Sequence, residues 1–213
     1  MVTRLVVVRH GNTFDKGQKV VRVGLKTDMP LSSSGQEQAV ALGRYLKLTR
    51  LLPDKVFSGK LCRTHETAEI ALREAGIHCD VKKLGIFNEV DYGPDEGKTE
   101  EELIERIGAD ALELWNSSAI LPPDWIFDDK LAVRNWCSFA SMVEKKYQDK
   151  IVMVFTSNGI ARFSPYITGD FDSFAKKFDI KMSTGAISIF EKNGKETNWN
   201  AVEWNLKPKD YVR

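Results

Sequence analysis

The sequence has few cysteines. Cys62, Cys79 and Cys137 are the only three, widely spaced and without a CxxC pair. An odd, scattered set excludes a disulfide framework, and reduced thiols in a cytoplasmic compartment are expected. Charge of one sign is also missing, because 31 Lys and Arg nearly cancel 30 Asp and Glu for a net +1. No nucleic-acid partner and no membrane surface is called for, although a local basic pocket stays compatible with a balanced total. Long apolar runs are absent. The run Leu5–Val8 spans four residues, too short for a signal-peptide core or a membrane span. Neither strong apolar run is followed by GxGxxG, which argues against a dinucleotide-binding oxidoreductase. There is no internal repeat. The 42% hydrophobic content still allows a real core, so one domain over residues 1–213 is expected, with a helical insertion or lid at about 94–123.

What is present is an alternation of short apolar runs with amphipathic segments, the pattern of an α/β sheet. Arg4–Val8 and Ile151–Phe155 are β-branched runs without polar alternation, as fully buried strands are. Lys55–Phe57, Val81–Leu84, Ala186–Glu191 and Ala201–Leu206 read as shorter strands, the last two joined by a turn at Asn193-Gly194. A helix is expected over Ser32–Leu48, with Gln36 and Glu37 placed for a capping box, and another over Leu61–Ala75, closed by Gly76. Thr99–Trp115 reads as a helix whose acidic first turn, Glu100 to Glu102, complements its dipole. Lys130–Tyr147 is a further helix, and one starting at Gly159 should end or kink at Pro165. The expected architecture is a three-layer α/β sandwich with a mostly parallel central sheet.

Open α/β sheets bind ligands at the carboxyl ends of their strands. The first strand runs into Arg9-His10-Gly11-Asn12-Thr13, and the Lys55 strand into Ser58-Gly59-Lys60 and then Arg63. The Val81 strand is followed by Glu89, and the Ile151 strand by Thr156-Ser157-Asn158-Gly159. Arginines, a histidine, a carboxylate and small polar residues therefore recur at strand ends far apart in sequence. That set suits a phosphate ester. Guanidinium groups match phosphoryl oxygens, a neutral imidazole can attack phosphorus, and a carboxylic acid can protonate the leaving alcohol. The other two histidines, His65 and His78, read as surface residues. Cys62 and His65 lie one turn apart but have no further ligands, so no metal site is assigned.

Four segments carry a resemblance. Val7-Val8-Arg9-His10-Gly11-Asn12-Thr13 resembles a strand-RHG-polar-Thr motif. Asp28-Met29-Pro30-Leu31-Ser32 with Gly35 and Gln38-Ala39 is similar to a helix entry of the same family. Ser58-Gly59-Lys60-Leu61-Cys62-Arg63-Thr64 with Thr67-Ala68 resembles its Arg-bearing helix, and Asn88-Glu89 with Gly93 and Glu96-Gly97 its acidic segment. In this order they resemble the histidine phosphatase superfamily, the phosphoglycerate mutase-like proteins. The resemblance implies that His10 is the phosphorylated nucleophile, that Arg9 and Arg63 hold the phosphoryl oxygens, and that Glu89 donates the proton. It places Asn12, Thr13, Lys16, Arg22, Gly24, Ser157 and Gly159 around the substrate. It implies no metal or organic cofactor, and a small phosphorylated metabolite as the partner, with a homodimer left open.

One position departs from the family. Where its members carry a histidine in a Ser-His-Gly context, this chain has Ser157-Asn158-Gly159. An asparagine can donate a hydrogen bond to a phosphoryl oxygen but carries no positive charge. A slow enzyme, a phosphate-ester-binding protein without turnover, and a substitution that traps a ligand all fit this residue. Lys16 stands near a family asparagine and could act as a point charge. Glu89 and Asn158 lie 69 positions apart, a shorter stretch than the resemblance implies for true mutases. The phosphatase branch, with water as acceptor, is therefore expected over the mutase.

Overall fold

The computed structural model describes residues 2–194 and 196–212. Six strands form one sheet in the order β3-β2-β4-β1-β5-β6. β1 (Val2–Arg9) lies against β4 (Ile151–Thr156), β4 against β2 (Lys55–Ser58), and β2 against β3 (Val81–Lys83), all parallel. β5 (Ile187–Asn193) pairs antiparallel with β1, and β6 (Asn200–Leu206) antiparallel with β5. The β-branched runs of β1 and β4 sit at the centre because both their faces are covered. Leu5, Val7, Val152 and Val154 face one core, and Val6, Val8, Met153 and Phe155 face the other.

The second core is closed by α1 (Ser33–Thr49) and α2 (Cys62–Ala75), through Leu42, Leu46, Ala68 and Leu72. The first is closed by α5 (Asp129–Lys146), through Trp136, Phe139, Ala140 and Val143. This is the expected three-layer α/β sandwich. Trp136 is 1% exposed and its indole N–H donates to Ile160 O at 2.9 Å, so it also braces the segment after β4.

Three expectations need correction. The helix over Thr99–Trp115 is two helices, α3 (Glu100–Ile107) and α4 (Ala109–Ser118). They break at Gly108, whose φ of 81° suits glycine and interrupts the helical run. The capping box lies at α3 rather than α1. Thr99 Oγ1 accepts from Glu102 N–H and Glu102 Oε2 from Thr99 N–H. At α1, Ser32 Oγ accepts from Gly35 N–H and the Asp15 carboxylate accepts from Ser33 and Ser34 N–H; no box forms, because the box position is Gly35. A glycine is required there, since a Cβ would sit 2.1 Å from Asn12 O. Finally, the stretch after β4 holds only a short helix, α6 (Asn158–Ala161), and a 3₁₀ turn at Ser164–Thr168 containing Pro165. α7 (Phe171–Lys177) follows, capped by Asp170; it was not anticipated. The connection between β5 and β6, where a turn at Asn193-Gly194 is expected, includes Lys195, which lies outside the described residues.

Candidate active site

The carboxyl ends of β1 and β4 open into a cavity of about 650 Å³. Strand pairing fixes its floor. His10 N–H donates to Thr156 O at 3.0 Å, so β1 and β4 stay paired up to the histidine. The next residue, Gly11, donates its N–H to Thr67 Oγ1 on α2 at 3.1 Å.

His10 is 6% exposed, and its Nδ1 lies 2.7 Å from Gly11 O. A carbonyl can only accept, so Nδ1 carries the proton and Nε2 keeps its lone pair. Burial pushes the imidazole pKa well below its usual value, and the charges of Arg63 and Arg9 push it further down. The ring is therefore neutral and nucleophilic at physiological pH.

Arg9 lines the cavity, and its Nη1 donates to Met182 O. Arg63 is fully buried and stands behind the lining. Its Nη1 donates to Thr27 O at 2.8 Å and its Nη2 to Gly24 O at 3.1 Å. It thus clamps the residue 23–27 loop while its charge reaches His10. The Nε atoms of both arginines are buried without a hydrogen-bond partner among the described residues. Asp28 Oδ1 accepts from Cys62 N–H at 2.6 Å and so fixes the start of the helix that carries Arg63.

Glu89 is 6% exposed and lines the cavity. One carboxylate oxygen accepts from Val90 N–H at 2.9 Å and the other from Gly159 N–H at 3.3 Å. Gly159 permits this approach, because a Cβ there would fall 2.2 Å from Glu89 Oε1. Asn158 lines the cavity beside it. Its Oδ1 accepts from Met182 N–H at 3.0 Å, which leaves the amide Nδ2 without a partner among the described residues.

Of the site residues expected from sequence, Arg9, His10, Asn12, Thr13, Lys16, Arg22, Glu89 and Asn158 line this one cavity. Arg63, Gly24, Ser157 and Gly159 do not line it and act from behind. Gly24 supplies a carbonyl to Arg63, Gly159 an N–H to Glu89, and Ser157 is the residue before α6. Asn12 is largely engaged in holding the loop, with its Nδ2 on Ser34 Oγ and its Oδ1 on the Thr184 hydroxyl. Among the described residues no group of three or more His, Cys, Asp or Glu could hold a metal ion, and no helix is long and apolar enough to cross a membrane.

The family profile of the histidine phosphatase superfamily (branch 1) matches residues 5–207. The chain belongs to the histidine phosphatase superfamily. Phosphoglycerate mutase 1 of Saccharomyces cerevisiae is 33% identical to it over 121 residues, 56% of this chain and 48% of that protein. A 2,3-bisphosphoglycerate-dependent phosphoglycerate mutase of Thermobifida fusca is 34% identical over 132 residues, 60% of this chain and 51% of that one. The chain spans about half the length of the curated relatives it matches. A mycobacterial glucosyl-3-phosphoglycerate phosphatase shares the histidine phosphatase fold, with a TM-score of 0.76 and 20% identity over 97% of this chain and 100% of its own.

Two parts of this histidine phosphatase site escaped sequence reasoning. The loop Lys181–Gly185 precedes an antiparallel strand, so it arrives at the same sheet edge as the loops that follow the parallel strands. Its Met182 backbone serves both Arg9 and Asn158, and Gly185 N–H donates to His10 O at 3.0 Å. The second part is the far wall, formed by Tyr92, Trp115 and Arg162. Arg162 lies four residues after Asn158, a spacing that puts both on one side of a helical turn and could have revealed it.

Proposed function

We propose that this protein is a phosphatase of small phosphomonoesters that works through a phosphohistidine on His10. One observation carries the reading: a buried imidazole, held in the Nδ1–H tautomer by a carbonyl, opens onto a cavity beside Arg9 and Arg63, with which no carboxylate among the described residues forms an ion pair. A dianionic phosphoryl group completes that balance of charge. His10 Nε2 attacks phosphorus in line, forming the N–P bond as the P–O bond breaks. The departing oxygen takes its proton from Glu89. Water then attacks phosphorus, returns a proton to Glu89 and releases His10 and inorganic phosphate. The relatives named as phosphoglycerate mutases raise a second outcome, return of the phosphoryl group to an alcohol. The short stretch between Glu89 and Asn158 and the exposed loop Lys16–Val20 over the cavity support water as acceptor.

Asn158 bears on rate. Its amide accepts from Met182 N–H with one atom and keeps a donor for the cavity with the other, the pattern a neutral imidazole could also offer. What it lacks is charge. The test is hydrolysis of an aryl phosphate from pH 5 to 8, with rapid quenching to trap labelled His10. Turnover with a labelled histidine supports the proposal, and Asn158→His is expected to raise kcat about 10-fold, below the ~10²-fold or more that a complete transition-state donor contributes. Saturable binding of phosphate esters without label or turnover would instead make the chain a phosphate-ester-binding protein.

A further inference from the structure

Three groups of the site take their places from the loop Lys181–Gly185. Met182 O accepts from Arg9 Nη1, and Met182 N–H donates to Asn158 Oδ1 at 3.0 Å. Gly185 N–H donates to His10 O at 3.0 Å. The direction of the Arg9 guanidinium and of the Asn158 amide therefore follows the backbone of Met182. What holds that backbone comes from outside the cavity. The next residue, Ser183, donates its N–H to Asn205 Oδ1 at 2.6 Å. Asn205 belongs to β6, an edge strand of the sheet, and does not line the cavity.

β6 is bent around this contact. Ile187 pairs with Leu206 and Ile189 with Glu203, so β6 holds one residue more than β5 between these pairs. An extra residue of this kind makes a β-bulge, which re-aims a side chain. Asn205 lies in the bulge with a φ of 57°, in the left-handed region. Asparagine enters that region more readily than most residues, but glycine enters it at no cost. The chain thus carries a side chain where glycine would suit the backbone, and the oxygen of that side chain reaches the loop under Arg9. Neighbouring contacts brace the same place. Asn205 N–H donates to Ser188 Oγ at 3.0 Å, the Ser188 hydroxyl donates to Met182 Sδ at 3.6 Å, and Trp204 Nε1 donates to Asp179 O at 2.6 Å, just before the loop.

We propose that Asn205 is a positioning residue for phosphoryl transfer: by accepting from Ser183 N–H it fixes Met182, and so aims the Arg9 guanidinium and the Asn158 amide at the phosphoryl group on His10. This rests on reading the cavity as a phosphomonoester site.

Two variants of the full chain test it. Asn205→Gly suits the backbone and deletes the acceptor, whereas Asn205→Asp keeps an acceptor oxygen at the same reach. Three quantities are read: the urea unfolding midpoint, kcat and KM for an aryl phosphate, and the calorimetric affinity for orthovanadate, which mimics the five-coordinate phosphorus of the transfer step. Asn205→Gly should keep its unfolding midpoint, since relief at φ offsets the lost hydrogen bond. Its kcat and its orthovanadate affinity should both fall ~10-fold, less than the ~10²-fold or more that outright loss of a transition-state donor costs, with KM changed less. Asn205→Asp should restore most of both. A kcat and an orthovanadate affinity that stay within about twofold in Asn205→Gly overturn the proposal, as does an Asn205→Asp variant no better than Asn205→Gly. If Asn205→Gly does not fold, Asn205→Ala takes its place, and failure of both to fold makes the residue structural and overturns the proposal too. The two readings fail separately. A chain that turns over no aryl phosphate, yet binds orthovanadate and loses that affinity in Asn205→Gly, sinks the phosphatase reading and spares the positioning. Turnover that Asn205→Gly leaves intact does the reverse, and a chain that neither turns over the ester nor binds orthovanadate sinks both.

Discussion

The floor of the cavity and its far wall hold their side chains by different means. On the floor, His10 is positioned by backbone: its N–H continues the β1–β4 pairing and its ring donates to the next carbonyl. Arg63 is anchored by two short guanidinium–carbonyl bonds. The wall is held by packing. Tyr92 and Trp115 each meet Trp125 edge-on, at 4.6 and 5.1 Å between centroids, and Trp125 N–H donates to Asp95 at 2.7 Å. Asp95 in turn pairs with Arg106 of α3. Arg22 lies against the same rings, 5.0 Å from Tyr92 and 5.2 Å from Trp125. Strand-end hydrogen bonds tolerate little change, whereas aromatic packing can be redrawn around a different leaving group. The floor suits fixed chemistry and the wall suits selectivity.

The comparison is broken most directly at the nucleophile. His10→Ala should lower kcat by ~10⁴-fold or more, as loss of a covalent nucleophile does, while circular dichroism shows the fold retained. A residual rate within tenfold of the unmodified chain would remove His10 from the mechanism. Arg63→Met should cost ~10²-fold in kcat through the lost charge. It should also cost about 1–3 kcal/mol of stability per carbonyl left without a donor, read by urea unfolding. An intact stability would mean that the clamp on residues 23–27 is not structural.

At the seam between floor and wall, Gly159→Ala places a methyl against Glu89. It should cost about 1–3 kcal/mol by overpacking and lower kcat more than it changes KM. The reverse pattern would separate Glu89 from the chemistry. The smallest effect is on pH dependence. The folded pKa of His10 is depressed, so below the free imidazole value of about 6.5 the unfolded chain binds the proton first. Stability contributed by neutral His10 is present above that value and lost as pH falls towards the folded pKa. His10→Ala should flatten this part of the profile of unfolding free energy against pH. An unchanged slope would show that His10 is not titrating there.

Much of the floor was legible because its residues follow β-branched strands in short motifs. Arg9 and His10, Glu89 and Asn158 come from three places in the chain and meet in one cavity, since strands paired in parallel end on the same side. The part of Arg63 was less legible: its guanidinium also donates to the loop carbonyls of Thr27 and Gly24, a contact that no local pattern announces. The break at Gly108 was visible as a glycine within an amphipathic run, but periodicity on both sides favoured one helix.

By itself the sequence determined the α/β class, the buried central strands and the strand-end groups, because period, β-branching and local motifs act over a few residues. The tertiary structure decided what depends on distant segments meeting. It brought the Met182 loop under Arg9 and Asn158, set Arg162 over Trp115, and left that cation buried with no ion-pair partner among the described residues. Burial and charge balance are properties of the assembled surroundings, and no local pattern carries them.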